Sequence, residues 1–192
     1  LPETPHLFVE FHGTPEGVKE QAEIFGEIAA EHGGGDFKWT TNAEERAKLW
    51  HARHNFFYAG RAQRPGWKGI STDVCVPISR LAEAVTEARR DMESSGVAGG
   101  IIGHVGDGNF HAGLFFRPEH PGELETVKAV AGRMAETALR LGGTVSGEHG
   151  IGVGKKRFMD AEHGEAVSVM AQIKRALDPQ GILNPGKMLD LN

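Results

Sequence analysis

The residues most able to do chemistry lie in one short run, GHVGDGNFH at positions 103–111. An Asp107-Gly108 pair between apolar runs predicts a two-residue hairpin turn, because a type I′ turn needs positive φ at both central positions. Such a turn places His104 directly opposite His111, with Cβ atoms about 4.5–5.5 Å apart on one face of two antiparallel strands. Two imidazoles at that spacing suit one divalent metal ion.

The same turn makes a prediction about the other face of the hairpin. Val105 and Phe110 alternate with the two histidines, so we expect both to point towards helices packed on the opposite face. The alternative is that the two histidines simply lie on an exposed sheet face with no ligand. A third ligand elsewhere in the chain would favour the metal site.

A second segment, GGTVSGEHGIGVGKK at positions 142–156, supplies that candidate. Glu148 offers an anionic oxygen ligand, and the neighbouring His149 offers an acid or base. The five glycines between positions 142 and 152 cost chain entropy, which indicates that the backbone approaches something closely. A phosphate loop is disfavoured because the segment lacks the Walker spacing and has no Ser or Thr after its lysine.

The elements that position these residues follow from periodicity and capping signals. Thr14 followed by Pro15 predicts a helix start, and Asn42 and Ser79 are predicted caps of two further helices. Two more helices are predicted over 123–141 and 162–177. Strands are predicted at 7–11, around 37–40, within 66–79, at 99–105 and at 109–116.

Composition limits the class of protein. The chain has 192 residues, a formal net charge of −5, 27 glycines and 10 histidines. A negative charge argues against a nucleic-acid partner, and no apolar run approaches the roughly 20 residues of a transmembrane segment. The opening residues 1–4 have no signal-peptide character, and the lone Cys75 excludes an intrachain disulfide. We therefore expect a cytoplasmic protein.

The order of elements predicts an α+β fold, in which helices pack on one face of a mostly antiparallel sheet. No repeat, low-complexity linker or block of like charge divides the chain. The sequence therefore predicts a single domain over residues 1–192.

Four segments together resemble one known family. They are TDVCVP at 72–77, the run 104–111, the run 146–155, and the C-terminal DPxG and NPGK motifs within 178–187. Their order and spacing resemble the C-terminal half of the FAD-linked 2-hydroxyacid dehydrogenases, which include cytochrome-type D-lactate dehydrogenases and glycolate oxidase flavin subunits. The likeness covers nearly the whole chain.

The resemblance implies a ferredoxin-like cap domain of the vanillyl-alcohol-oxidase type, which covers a flavin held by a separate N-terminal FAD-binding domain. No flavin-diphosphate segment is recognised in these residues, so this chain is expected to be the cap alone and inactive by itself. Implied partners are that FAD-binding domain, a small 2-hydroxy acid, and an electron acceptor such as a cytochrome or quinone. Peripheral contact with an inner membrane fits such an acceptor.

By position, the resemblance also assigns roles. His104, His111 and Glu148 resemble the ligands of a divalent metal, zinc or manganese, that holds the substrate's carboxylate and 2-hydroxyl group. His149 resembles the catalytic base that takes the hydroxyl proton while hydride passes to flavin N5. Arg53 resembles an arginine that binds the substrate carboxylate, and its alternative is a solvated helix residue paired with an acid such as Glu45.

The C-terminal tail resembles a segment that returns to the flavin domain, and Asn184 and Lys187 are its expected cofactor contacts. Two departures concern the substrate. Relatives that act on 2-hydroxyglutarate have an asparagine where this chain has Gly113, and a lysine near the place of Ser71. A D-lactate-like substrate is therefore favoured over a dicarboxylic acid, and a glycolate-type substrate is the alternative.

Two other classes of function stay open. One is a binding module for a metal or small molecule that has no catalytic activity. The other is a metal-dependent hydrolase, in which His149 or Asp107 would handle protons.

Overall fold

The computed structural model describes residues 4–35 and 37–190, and the chain divides into two compact units, residues 1–59 and 60–192. Among the described residues, no helix combines the length and apolar character needed to cross a bilayer. The single domain expected over residues 1–192 stays a prediction.

The first unit is built on helices. Helix α1 spans Pro15–Glu31, α2 spans Ala43–His54, and α3 (Phe56–Ala62) continues into the second unit. Both predicted caps are confirmed. Thr14 Oγ1 accepts a hydrogen bond from a first-turn N–H at 3.2 Å, and Asn42 Oδ1 accepts two, at 2.9 and 3.1 Å.

The strands predicted at 7–11 and 37–40 are wrong, since both segments are irregular. Their aromatic residues pack against a helix instead of a neighbouring strand. The rings of Phe11 and Phe37 lie 5.8 and 5.2 Å from the ring of Phe25 on α1. The apolar content of these segments therefore reflects ring contacts with a helix, which need no sheet.

The second unit contains the sheet, whose strands are β1 (Lys68–Ser71), β2 (Val74–Cys75), β3 (Ala98–His104) and β4 (Asn109–Phe116). Strand β4 is central. It pairs antiparallel with β3 along one edge, and with β1 and then β2 along the other. Residues 72 and 73 separate β1 from β2, so the outer lane is interrupted opposite the middle of β4.

Two long helices, α4 (Ile78–Ser94) and α5 (Pro121–Arg140), cover one face of the sheet, as predicted. The side chains of β4 at 110, 112, 114 and 116 are buried in one cluster with α4 and α5. Since side chains alternate along a strand, positions 109, 111 and 113 belong to the opposite face. This mixed helix and antiparallel sheet confirms the predicted α+β class and matches the expected cap-domain fold.

The hairpin forms with a different turn from the one predicted. Residues Val105–Asp107 make a 3-10 turn, and Gly108 alone takes the left-handed conformation, with φ of 74°. His104 therefore pairs with Asn109, and His111 pairs with Ile102. The register differs from the prediction by two residues, and a shift of two keeps every side chain on its face. The histidines are diagonal neighbours.

The shift removes Val105 from the expected inner position. Its side chain lies in the turn and is 49% exposed, whereas Phe110 is buried as predicted at 3%. The prediction for Val105 is therefore wrong. The apolar contacts of Phe110 with the helix layer hold β4 in register without it.

Two helix boundaries also differ from expectation. Helix α4 begins at Ile78 with Pro77 in the cap position, so Ser79 is not its cap. The helix predicted over 162–177 is two helices, α6 (Met159–His163) and α7 (Ala166–Leu177). Gly164 ends α6 with a φ of 52°, a conformation that glycine adopts without steric cost.

Candidate metal centre

Strands β3 and β4 bring His104 and His111 together on the face of the sheet opposite α4 and α5. Their ring centroids are 6.3 Å apart, and the ring planes are nearly perpendicular at 89°. His111 is 8% exposed at the centre of the sheet, whereas His104 is exposed at the end of β3. The pair thus has one fixed member and one open to solvent.

The orientation of the His111 ring is set by the break between β1 and β2. Its Nδ1 lies 3.1 Å from the backbone oxygen of Thr72, which is hydrogen-bonding distance. When Nδ1 carries the proton and donates to this oxygen, Nε2 keeps its lone pair. Histidines that bind metals in proteins are usually held by such a bond from the other ring nitrogen.

The glycine-rich segment after α5 places Glu148 and His149 beside this ring. Glu148 Oε1 lies 3.0 Å from His111 Nε2, and the His149 ring stacks on the His111 ring at 5.0 Å and 10°. His149 Nε2 lies 3.6 Å from the same Glu148 oxygen. Both side chains are about half exposed, so the site opens to the surface on this side.

Among the described residues, two groups of three side chains could each hold a metal ion, and both groups include His111. Within each group, the ligand atoms lie within 4.8 Å of one another. The first is His104, His111 and Glu148, which is the set predicted from the sequence. The second is Asp73, His111 and His149. Asp73 is 3.5 Å from His111 Nδ1, the nitrogen already engaged by Thr72. The first set uses the free Nε2.

The chemistry of the first set fits a divalent ion such as zinc or manganese. Two nitrogens and one carboxylate oxygen are ligands that zinc takes, and a fourth position is left for water or substrate. Atoms that each lie about 2.1 Å from one ion at a tetrahedral angle are about 3.4 Å apart. The 3.0 Å between His111 Nε2 and Glu148 Oε1 is close to that separation.

A buried carboxylate lies behind this site. Asp73, between β1 and β2, is 1% exposed. Its Oδ2 accepts the backbone N–H groups of Glu148 at 3.0 Å and His149 at 2.9 Å. Its Oδ1 accepts from the side-chain amide of Asn109 at 2.8 Å. The Lys155 ammonium donates to the Asp73 backbone oxygen and lies 3.9 Å from Oδ2.

These contacts shift the pKa values of Asp73 and Lys155. Burial by itself raises the pKa of Asp73, but the His149 N–H, the Asn109 amide, the Glu148 N–H and Lys155 outweigh it. The pKa of Asp73 therefore lies below its usual value, and the carboxylate is charged at neutral pH. Burial lowers the pKa of Lys155, against the opposing attraction of Asp73 and Glu162.

A close backbone approach explains one of the glycines in the segment. A Cβ atom on Gly147 would lie 2.8 Å from Asp73 Oδ1 and closer still to the Asn109 amide nitrogen. No side chain fits there without moving the carboxylate. The prediction that these glycines allow a close approach is therefore confirmed at Gly147, and the group approached is a protein side chain.

Three other predicted site residues are not among the residues of the contacts described above. Arg53 is half-buried on α2, in the other unit, and forms no ion pair within the described ranges. Its suggested partner Glu45 accepts from Thr40 Oγ1 at 2.6 Å. Asn184 and Lys187 are exposed in the C-terminal turns, where Asn184 has a φ of 47°. Their roles stay predictions.

Reasoning from the sequence missed Asp73, Asn109 and Lys155 as members of this site. One signal was present, since an acidic residue within an apolar strand pattern is rarely buried without partners. The partners themselves are far away in sequence. Glu148 and His149 follow Asp73 by 75 and 76 residues.

Comparison with known proteins shows the family of this chain. The sequence model of the family described as FAD linked oxidases, C-terminal domain, matches residues 1–188. A probable mitochondrial D-lactate dehydrogenase of Danio rerio is 47% identical over 98% of this chain and 38% of its own length. A mitochondrial cytochrome-type D-lactate dehydrogenase of Arabidopsis thaliana is 38% identical over 98% of this chain and 34% of its own length.

A more distant relative is the glycolate oxidase subunit GlcD of Escherichia coli, 30% identical over 94% of this chain and 36% of its own length. The chain thus spans little more than a third of the curated relatives it matches. The match of the family model over nearly all residues shows that the chain belongs to the FAD-linked oxidases, as their C-terminal domain.

Proposed function

We propose that this chain is the substrate- and metal-binding cap domain of an FAD-dependent D-2-hydroxyacid dehydrogenase. The substrate is a D-lactate-like acid that is oxidised to the 2-oxo acid. The observation that carries the proposal is the convergence of His104, His111 and Glu148 within 4.8 Å, with His149 beside them. Membership of the FAD-linked oxidases supplies the class of reaction.

Two groups complete the chemistry. A zinc or manganese ion, when bound, supplies a Lewis acid that lowers the pKa of the substrate's hydroxyl group. FAD, held mainly by the FAD-binding domain that the family implies, supplies the hydride acceptor at N5.

The side chains of this chain bind and orient the substrate. His104, His111 and Glu148 would hold the ion, which would bind the substrate through its carboxylate and 2-hydroxyl group. His149 Nε2 lies 3.6 Å from Glu148 Oε1, so it faces the space where the hydroxyl group sits. This nitrogen takes the hydroxyl proton as a general base.

Positions 71 and 113 of the sheet offer no cationic partner for a second substrate carboxylate. Gly113 lies two residues after His111 on the same face of β4 and offers no side chain to a second carboxylate. Ser71, which pairs with Gly113 across the β1–β4 ladder, has no positive charge. A small acid such as D-lactate is therefore favoured over a dicarboxylic acid.

Glycolate is the alternative substrate, and the likeness to a glycolate oxidase subunit favours it. The higher identity to D-lactate dehydrogenases favours D-lactate. A kcat/KM comparison of the two acids separates the two alternatives.

Arg53 is proposed to bind the substrate carboxylate, and Asn184 and Lys187 are proposed to contact the flavin. The final acceptor is proposed to be a cytochrome or quinone.

The test is metal content. We expect about one zinc or manganese ion per chain in the wild type, and loss of most of it in His111→Ala, because a central ligand is removed. His120→Ala, which removes an exposed histidine at the start of α5, is the matched control and should keep the ion. Undiminished metal in His111→Ala would remove the central claim.

Oxidation of D-lactate by the full-length flavoprotein, followed with a dye acceptor, separates an enzyme from a non-catalytic binding module. Ester hydrolysis without flavin would favour the hydrolase instead.

A further inference from the structure

Both oxygens of the buried Asp73 carboxylate contact residues of the proposed metal site. One oxygen, Oδ2, accepts both N–H groups of the Glu148–His149 dipeptide and lies 3.4 Å from Ser146 Oγ. The other, Oδ1, lies 3.5 Å from His111 Nδ1. The carboxylate thus touches the backbone of two site residues and the ring of a third.

Asp73 is itself held in place. The Asn109 amide that donates to Oδ1 also donates to the Val74 backbone oxygen at 3.0 Å. Lys155 donates to the Asp73 backbone oxygen from the far end of the glycine-rich segment. Three parts of the unit, namely the β1–β2 break, β4 and the segment 146–155, therefore meet at one charged group.

We infer that Asp73 is the positioning residue of this site: its carboxylate fixes the Glu148–His149 backbone against the face of His111. A loop of this glycine content has many accessible backbone conformations. Two hydrogen bonds to one fixed acceptor select a conformation in which Glu148 and His149 both face the histidine pair. Because Asp73 uses both oxygens on protein donors, it is not itself counted among the metal ligands.

Two measurements test the inference. The first depends on the proposed metal site, and the second needs no metal. The variant is Asp73→Asn, which keeps the size of the side chain but replaces one acceptor oxygen with a donor. The matched control is Asp178→Asn. Asp178 is also buried, accepts the N–H groups of Ile182 and Leu183 at 3.0 and 2.9 Å, and pairs with Lys174. These partners all lie in the C-terminal part of the chain.

The first measurement is metal affinity, with zinc titrated against a chelating dye and cobalt used for its visible absorption. We expect Asp73→Asn to bind zinc about 10- to 100-fold more weakly, the range found when partners of metal ligands are removed. Its cobalt spectrum should change, because the ligand geometry changes. Asp178→Asn should match the wild type in both.

The second measurement is hydrogen exchange of the metal-free protein. Asp73→Asn should speed exchange of the Glu148 and His149 amides by a larger factor than exchange of the α4 and α5 amides. Asp178→Asn should speed exchange only near 182 and 183.

The outcomes separate the two claims. Wild-type protein that binds no zinc would contradict the proposed function, and the exchange result would still decide the role of Asp73. Unchanged exchange at Glu148 and His149 in Asp73→Asn would overturn the inference. So would exchange that is faster by the same factor throughout the unit, or equal weakening of zinc binding in both variants, since either would mean that Asp73 serves only general stability.

Discussion

Two buried aspartates in the second unit do the same task in different ways. Asp73 and Asp178 each accept two consecutive backbone N–H groups and each pair with one lysine. For Asp178 the two donors and the lysine all lie within five residues of the aspartate along the chain. For Asp73 the donors lie 75 and 76 residues away. One aspartate forms a turn, and the other joins distant segments.

The difference shows what each carboxylate stabilises. Asp178 ends α7 and shapes the turn that follows, which is local structure. Asp73 connects the edge of the sheet to the segment that carries Glu148 and His149. Loss of a local contact disturbs a few neighbouring residues, whereas loss of a distant one separates the elements that it joined. The following predictions compare the two regions.

The largest effect on stability is expected for Asp73→Ala. The change leaves the Glu148 and His149 N–H groups without their acceptor and removes one of the two acceptors of the Asn109 amide. It also removes the carboxylate that lies 3.9 Å from Lys155. We expect a loss of about 3 kcal/mol in the free energy of unfolding, measured by urea denaturation. Asp178→Ala should lose clearly less, because its donors can turn towards water in an exposed region. A greater loss in Asp178→Ala would break the comparison.

A smaller effect is expected from two glycine substitutions. Gly147→Ala places a methyl group against Asp73 and Asn109, so we expect a cost of about 2 kcal/mol together with weaker zinc binding. Gly181→Ala, beside Asp178, meets open space but has a φ of 64°, and should cost about 1 kcal/mol with zinc binding unchanged. Thermal unfolding and dye competition measure both. Weaker zinc binding in Gly181→Ala would contradict the assignment of the site to the Asp73 region.

The smallest effect concerns pH. The hydrogen bond from Lys174, together with the Leu183 and Ile182 N–H groups, holds the pKa of Asp178 below its usual value. A lowered pKa in the folded state means that the contribution to stability is complete above the ordinary pKa near 3.9 and is lost as the pH falls further. The difference in urea midpoint between the wild type and Asp178→Asn should therefore be full at pH 6 and narrow below pH 4. Asp73 is present in both proteins, so its own titration cancels. A difference that stays constant down to pH 2.5 would contradict this prediction.

Much of the local structure could be predicted from the sequence. The caps at Thr14 and Asn42, the helix over 121–140 and the two strands of the hairpin follow from signals a few residues long. The strands expected at 7–11 and 37–40 were wrong, because apolar residues in a short segment can pack on a helix as well as in a sheet.

The candidate site was predicted in part. His104, His111, Glu148 and His149 come together as expected, although the histidines are diagonal neighbours and not a direct pair. The error in register had no effect on the face, because the two turns differ by two residues in pairing. Asp73 was missed because its importance depends on donors that only folding brings near.

The sequence by itself therefore determined which side chains can do chemistry and which short elements carry them. It did so because turns, caps and strand alternation depend on neighbouring residues. Only the tertiary structure decided the register of β3 on β4, the break that turns Asp73 inward, and the choice of Glu148 and His149 as its partners. The register depends on the turn that the folded hairpin adopts. The contacts of Asp73 join segments more than 70 residues apart, where a buried charge must find donors that no local pattern specifies.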